Sequence, residues 1–116
     1  MPAVRGSVDE TSSVEGRVVV EDGAEIRASR VRGPAIIGAG TRIVNSYVGP
    51  YTSVAAGCEI IDSEIEHSVI LENSRIVNIP HVQDSLIGRE VEVVRSGRVP
   101  RATRLMLGDH SRVDIE

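Results

Sequence analysis

Valine and isoleucine return along this chain at steps of five or six residues, and no other feature restricts the fold so tightly. From Val8 the landing positions are Val8, Val14, Val20, Ile26, Val31, Ile37, Ile43, Val48, Val54, Ile60, Ile65, Ile70, Ile76, Val82, Ile87 and Val93. All sixteen are Val or Ile, reached by ten steps of six and five steps of five. The residues two places earlier are an independent check. They are Gly6, Ser12, Val18, Ala24, Ser29, Ala35, Thr41, Ser46, Thr52, Cys58, Ser63, Ser68, Ser74, Pro80, Ser85 and Val91, and none is larger than valine. Residues i−2 and i of a strand share a face. Each unit therefore turns one small and one branched aliphatic side chain inward, and the next two or three residues turn a corner. Gly33, Gly40, Asn45, Pro50, Gly57, Asp62 and Asn73 fall in those corners, where turn chemistry places Gly, Pro, Asn and Asp.

Alternating strands in a sandwich are the competing reading. A sandwich needs hairpins and loops of varied length, and it does not predict so many short strands at near-constant spacing. A chain that turns a corner every five or six residues must coil, so the repeat specifies a solenoid. Three units per coil place the coils near 8–25, 26–42, 43–59, 60–75 and 76–92. Beyond Val93 the register breaks through Arg95–Arg104 and a six-step resumes from Leu107 to Val113. The chain thus reads as one domain over 1–116, with regular coils over about 6–94 and a loop and cap over 95–116.

Composition fits a narrow interior. The chain holds 18 Val and 12 Ile against 4 Leu, with 2 Tyr and no Phe or Trp, so the centre is filled by β-branched aliphatics rather than rings. An inward charge such as Ile60→Asp should cost several kcal/mol. A net charge of −4 argues against a nucleic-acid partner or a polybasic membrane module. The single Cys58 excludes an internal disulfide and a thiolate zinc site. Apolar runs are too short for a signal-peptide core or a membrane span, so a cytoplasmic location is expected.

Outward positions carry two patterns. Glu25, Arg42, Glu59, Arg75 and Glu92 lie about one coil apart with alternating sign, and read as a structural ion-pair ladder. Beside them Val44, Ile61, Val77 and Val94 form an apolar stripe, and a second runs through Val19, Ile36, Ser53, Val69 and Leu86, with Leu71 alongside. Contiguous exposed apolar stripes mark contacts, here with another subunit, another domain, or both.

Candidate chemistry is sparse. His67 and Asp84 fall at matching corners of successive coils, where a carboxylate orienting an imidazole would serve general-base acyl transfer from acetyl-coenzyme A. A solvated corner pair is the plainer reading. A three-imidazole zinc site is disfavoured, because His67, His81 and His110 lie on separate coils. Arg89, Arg95, Arg98, Arg101 and Arg104 cluster near the C-terminal end, where they could meet a phosphate or an acidic partner, although a solvated rim is the plainer reading. Gly38-Ala39-Gly40 lies in a corner with no helix to follow, so it is not a dinucleotide loop.

Three runs carry a resemblance: Val31 to Val54 (VRGPAIIGAGTRIVNSYVGPYTSV), Asp62 to Leu71 (DSEIEHSVIL) and Arg104 to Val113 (RLMLGDHSRV). Together they resemble the C-terminal β-helix of the long-form bacterial glucose-1-phosphate thymidylyltransferases, over essentially the whole chain. The resemblance implies a single-stranded, left-handed parallel β-helix of the hexapeptide-repeat kind, although right-handed crossovers are the general rule. It also implies a non-catalytic assembly domain of an enzyme that makes dTDP-glucose. Catalysis in that family belongs to an N-terminal nucleotide-binding domain with a Gly-rich loop, a downstream Lys and metal-binding Asp residues. No such signature is present here, and the chain has no Lys. No catalytic residue carries over. Mg and dTTP are expected only for that other domain, and no cofactor is expected for this chain. The partners implied are a nucleotidyltransferase domain and further copies of the chain, with a trimer favoured. The alternative is a free-standing hexapeptide-repeat acyltransferase built on His67 and Asp84.

Overall fold

The computed structural model describes residues 3–95, 106–107 and 112–115. These residues form short parallel strands and no helix. The strands wind into three sheets, with seven described strands in each of the first two and five in the third.

The first sheet contains Ala3–Val4, Val18–Val20, Ala35–Ile37, Thr52–Val54, Val69–Ile70, Leu86–Ile87 and Met106–Leu107. The second contains Ser7–Val8, Glu25–Arg27, Arg42–Val44, Glu59–Ile61, Arg75–Val77, Glu92–Arg95 and Arg112–Ile115. The third contains Ser13–Glu15, Arg30–Arg32, Tyr47–Val48, Glu64–Glu66 and Val82–Gln83. The result is a β-solenoid, as the five-and-six spacing requires.

The landing residues form the core. From Val20 to Val93 every one of them is buried. Pairing stacks like on like: Ile26 faces Ile43, Ile43 faces Ile60, and Ile60 faces Ile76. Such stacking suits β-branched side chains, whose restricted χ1 costs little entropy in a strand. Val8 and Val14 are only half-buried, since their strands form the end rung of the described stack. Pairing also begins earlier than Val8, because Ala3–Val4 lies beside Val19 and Val20. At the other end the backbone register resumes as the six-step indicates, with Leu107 opposite Ile87 and Val113 opposite Val93. Arg95 closes the strand Glu92–Arg95. The rest of the segment read as a loop and most of the cap, with Arg98, Arg101, Arg104 and His110, lie outside the described residues.

The small inward positions do more than save space. Several are hydroxyls that bond to the coil above. Ser46 Oγ donates to the carbonyl of Val44 at 2.8 Å and accepts the N–H of Ser63 at 3.1 Å. Ser63 Oγ repeats this one coil on, accepting the N–H of Ile79 at 3.0 Å. The inward hydroxyls satisfy buried N–H groups that the strands leave unpaired at the corners.

One assignment is corrected. Pro80 is exposed, and Ile79 occupies the small inward slot of its coil, buried to 5% exposure. A proline has no N–H, and this slot must donate one to Ser63 Oγ. The corner therefore carries one extra residue, and Pro80 is pushed outward.

Corner residues adopt left-handed backbone. Ala28, Asn45, Asp62 and Asn78 do so between the second and third sheets, at φ of 48–58°. Tyr51, His67 and Asp84 do so between the third and first, and Gly23, Gly40, Gly57, Asn73 and Glu90 between the first and second. Asn, Asp and Gly tolerate this region best, which is why they recur here.

Candidate functional site

His67 and Asp84 lie where their spacing places them, at equivalent corners of successive coils with φ of 51° and 54°. Both are exposed. No hydrogen bond joins them among the described residues. The His67 ring instead meets Tyr51 edge to face, with ring centroids 5.3 Å apart and planes inclined at 71°. Among the described residues the imidazole therefore has an aromatic neighbour and no hydrogen-bonded carboxylate.

His81 stands on the outer surface of the third sheet. Its ring nitrogens lie 3.7 Å from Glu64 and 3.4 Å from Glu66, and Nε2 lies 3.2 Å from Gln83 Oε1. Among the described residues no three His, Cys, Asp or Glu side chains are grouped to hold a metal ion. Cys58 is buried in a small inward slot, and burial pushes its thiol above the usual range. It acts there as a packing and hydrogen-bonding group, with Sγ 3.1 Å from the carbonyl of Leu71.

The pairing register turns both apolar stripes into columns. On the first sheet Val19 lies beside Ile36, Ile36 beside Ser53, Ser53 beside Val69, and Val69 beside Leu86. Ile36, Val69 and Leu86 are 47%, 40% and 44% exposed, and this column carries no charge. Leu71 is half-buried at its edge. On the second sheet Val44, Ile61, Val77 and Val94 are stacked and half-buried. Next to them runs the ladder of opposite charges. Arg42 reaches Glu25 at 3.8 Å and Glu59 at 3.2 Å, and Arg75 reaches Glu59 at 3.1 Å and Glu92 at 3.4 Å. The first and second faces therefore differ: one is apolar and uncharged, the other striped with ion pairs.

A feature not singled out in the sequence lies along the corner between the second and third sheets. A groove of about 490 Å³ runs there across several coils. Its lining includes Arg30, Asn45, Tyr47, Asp62 and Glu64, with Thr11 and Pro80 also contributing. Asn45 Nδ2 donates to Asp62 Oδ1 at 2.8 Å, tying two coils together along one wall. Tyr47 lies between Arg30 and Glu64 in register on the third sheet. A sequence signal did exist: Tyr47 and Tyr51 are the chain's only two aromatic residues, and neither takes a core position.

Residues 49–104 match a family described as GlmU-like, C-terminal hexapeptide. A glucose-1-phosphate thymidylyltransferase from Streptomyces griseus is 54% identical over 114 residues, which is 98% of this chain and 32% of that protein. A glucose-1-phosphate thymidylyltransferase from Streptomyces antibioticus is 50% identical over 115 residues, 99% of this chain and again 32% of the relative. The chain thus spans about a third of the length of the curated relatives it matches.

Proposed function

This chain is a hexapeptide-repeat β-solenoid homologous to part of the glucose-1-phosphate thymidylyltransferases, and we propose that it is the non-catalytic assembly module of a sugar-1-phosphate nucleotidylyltransferase that forms dTDP-glucose. The observation that carries the reading is the uncharged first face, whose Ile36, Val69 and Leu86 stand exposed in one column. An exposed apolar strip of this kind calls for a cover, either further copies of the chain, with a trimer favoured, or a nucleotidyltransferase domain. The interior gives the complementary support. From Val18 to Val93 the buried side chains are aliphatic or hydroxyl, with the thiol of Cys58, and none is charged.

In this reading Mg2+ and dTTP act in the nucleotidyltransferase domain, and no cofactor is assigned to this chain. Among the described residues no helix is long and apolar enough to cross a membrane, and the proposed role in sugar-nucleotide synthesis would place the protein in the cytoplasm.

Three measurements test this. The chain alone, given dTTP, glucose 1-phosphate and Mg2+, should form no dTDP-glucose; formation would overturn the reading. Light scattering should show an oligomer that Ile36→Glu and Leu86→Glu each weaken. A monomer at high concentration would leave only the domain contact. Acetyl-coenzyme A binding that His67→Ala abolishes would favour acyl transfer instead.

A further inference from the structure

The groove on the third sheet has a specific chemistry. Tyr47 does not project freely from its strand. A side-chain carbon built on Gly49 would lie 3.0 Å from Tyr47 Cε2 and 3.1 Å from its hydroxyl oxygen. The phenol ring is therefore laid along the strand, over the space that the missing side chain leaves. A half-buried ring held in this way is a prepared platform, because a ligand need not immobilise it first. Its register neighbours are Arg30 on one side and Glu64 on the other. Arg30 makes no ion pair among the described residues, so its guanidinium is available as a donor. Asp62 uses one carboxylate oxygen to accept from Asn45, at 2.8 Å, and the other has no partner among the described residues.

We propose that this groove binds a neutral saccharide, with a pyranose ring set against Tyr47, its hydroxyls donating to Asp62 and Glu64 and accepting from Arg30. Three alternatives fit the same walls less well. A phosphate would meet two carboxylates against one guanidinium. An apolar peptide would leave those charges desolvated. Thymidine would stack on the ring, but its base offers a single N–H donor to two carboxylates that can only accept. A saccharide offers many hydroxyl donors and a face of C–H groups for the ring, and the groove volume of about 490 Å³ is ample for one or two sugar units. The inference stands apart from the assembly reading, because the groove and the uncharged first face belong to different sheets.

Saturation-transfer NMR and calorimetry with maltose test it, with thymidine and inorganic phosphate as controls. Maltose should bind saturably, and Tyr47→Ala should weaken it by about tenfold or more. Tyr47→Phe should keep most of the affinity, since the ring supplies the platform. Arg30→Ala and Glu64→Gln alter exposed side chains and should each weaken binding by roughly threefold or more, which tests the site even if Tyr47→Ala fails to fold. No saturable maltose binding overturns the proposal. So does maltose binding that neither Arg30→Ala nor Glu64→Gln changes, or thymidine binding at Tyr47 in place of the sugar.

Discussion

Ser46 and Ser63 occupy the same corner one coil apart, and the N–H of Ser63 donates to Ser46 Oγ at 3.1 Å. The same link joins Ser29 to Ser46 below and Ser63 to Ile79 above. The column carries the corner's hydrogen bonding through the inside of the solenoid, where water cannot substitute. Ser46→Ala should therefore cost about 1–3 kcal/mol, because it strands the buried N–H of Ser63. Ser13→Ala, on the outer surface, should stay within about 0.5 kcal/mol. Urea denaturation of both variants checks this, and equal effects would remove any special role for the inward hydroxyls.

Thr52 shows the opposite case. Its hydroxyl oxygen is buried and has no hydrogen-bond partner among the described residues. Its register neighbour on one side is Ala35, which has no side-chain group to offer. Thr41, also inward, is fully engaged: its Oγ1 donates to the carbonyl of Ala55 at 2.8 Å and accepts the N–H of Cys58 at 3.2 Å. One substitution should then have two signs. Thr52→Val should raise stability by about 1 kcal/mol, and Thr41→Val should lower it by about 1–3 kcal/mol. The shift in denaturation midpoint at each site decides, and matching signs would contradict the bonding described.

How far the sequence led depends on which property each position uses. The landing residues were legible because shape and burial select Val and Ile repeatedly, as at Ile43, Ile60 and Ile76. The charge ladder was legible because its period is the coil. Pro80 was misplaced because counting back two residues from Val82 treats every six-step alike. The extra residue at that corner changes which of Ile79 and Pro80 turns inward, and only the missing N–H of proline betrays it. The His67–Asp84 alignment was legible as a column, but a left-handed corner fixes position without fixing side-chain direction, and the ring turned toward Tyr51. The groove was missed for a related reason. Arg30, Tyr47 and Glu64 are each ordinary outward residues, and only the pairing of strands brings them together beside Asn45 and Asp62.

The ladder on the second face links Glu25, Arg42, Glu59, Arg75 and Glu92 in one row. Arg42 touches two carboxylates yet its side chain is 47% exposed, so solvent screens both contacts. Arg42→Ala should cost about 0.2–1 kcal/mol, well below the cost at Ser46. Arg42→Glu should cost more, since the new carboxylate would stand between those of Glu25 and Glu59 and repel both. The difference between the two variants should shrink in high salt. A salt-independent difference would locate its origin in packing instead.

Asp9 gives the fold a pH dependence whose sign can be worked out. Its carboxylate accepts from the Ser12 hydroxyl at 2.7 Å, from the Thr11 hydroxyl at 2.9 Å and N–H at 3.2 Å, and from the N–H of Ala28 on the next coil at 3.3 Å. These bonds, that from Ser12 first, favour the charged form and hold the folded pKa below the ordinary aspartate value. A depressed carboxylate pKa stabilises the fold at pH values above the unfolded pKa. That stabilisation fades as pH falls through the folded pKa and is gone once the carboxyl is protonated in both states. Asp9→Asn should therefore melt below the wild type at neutral pH, and the two melting temperatures should converge on acidification below the usual aspartate range. A gap that stays constant across that range would show that the Asp9 charge plays no part in holding the first corner.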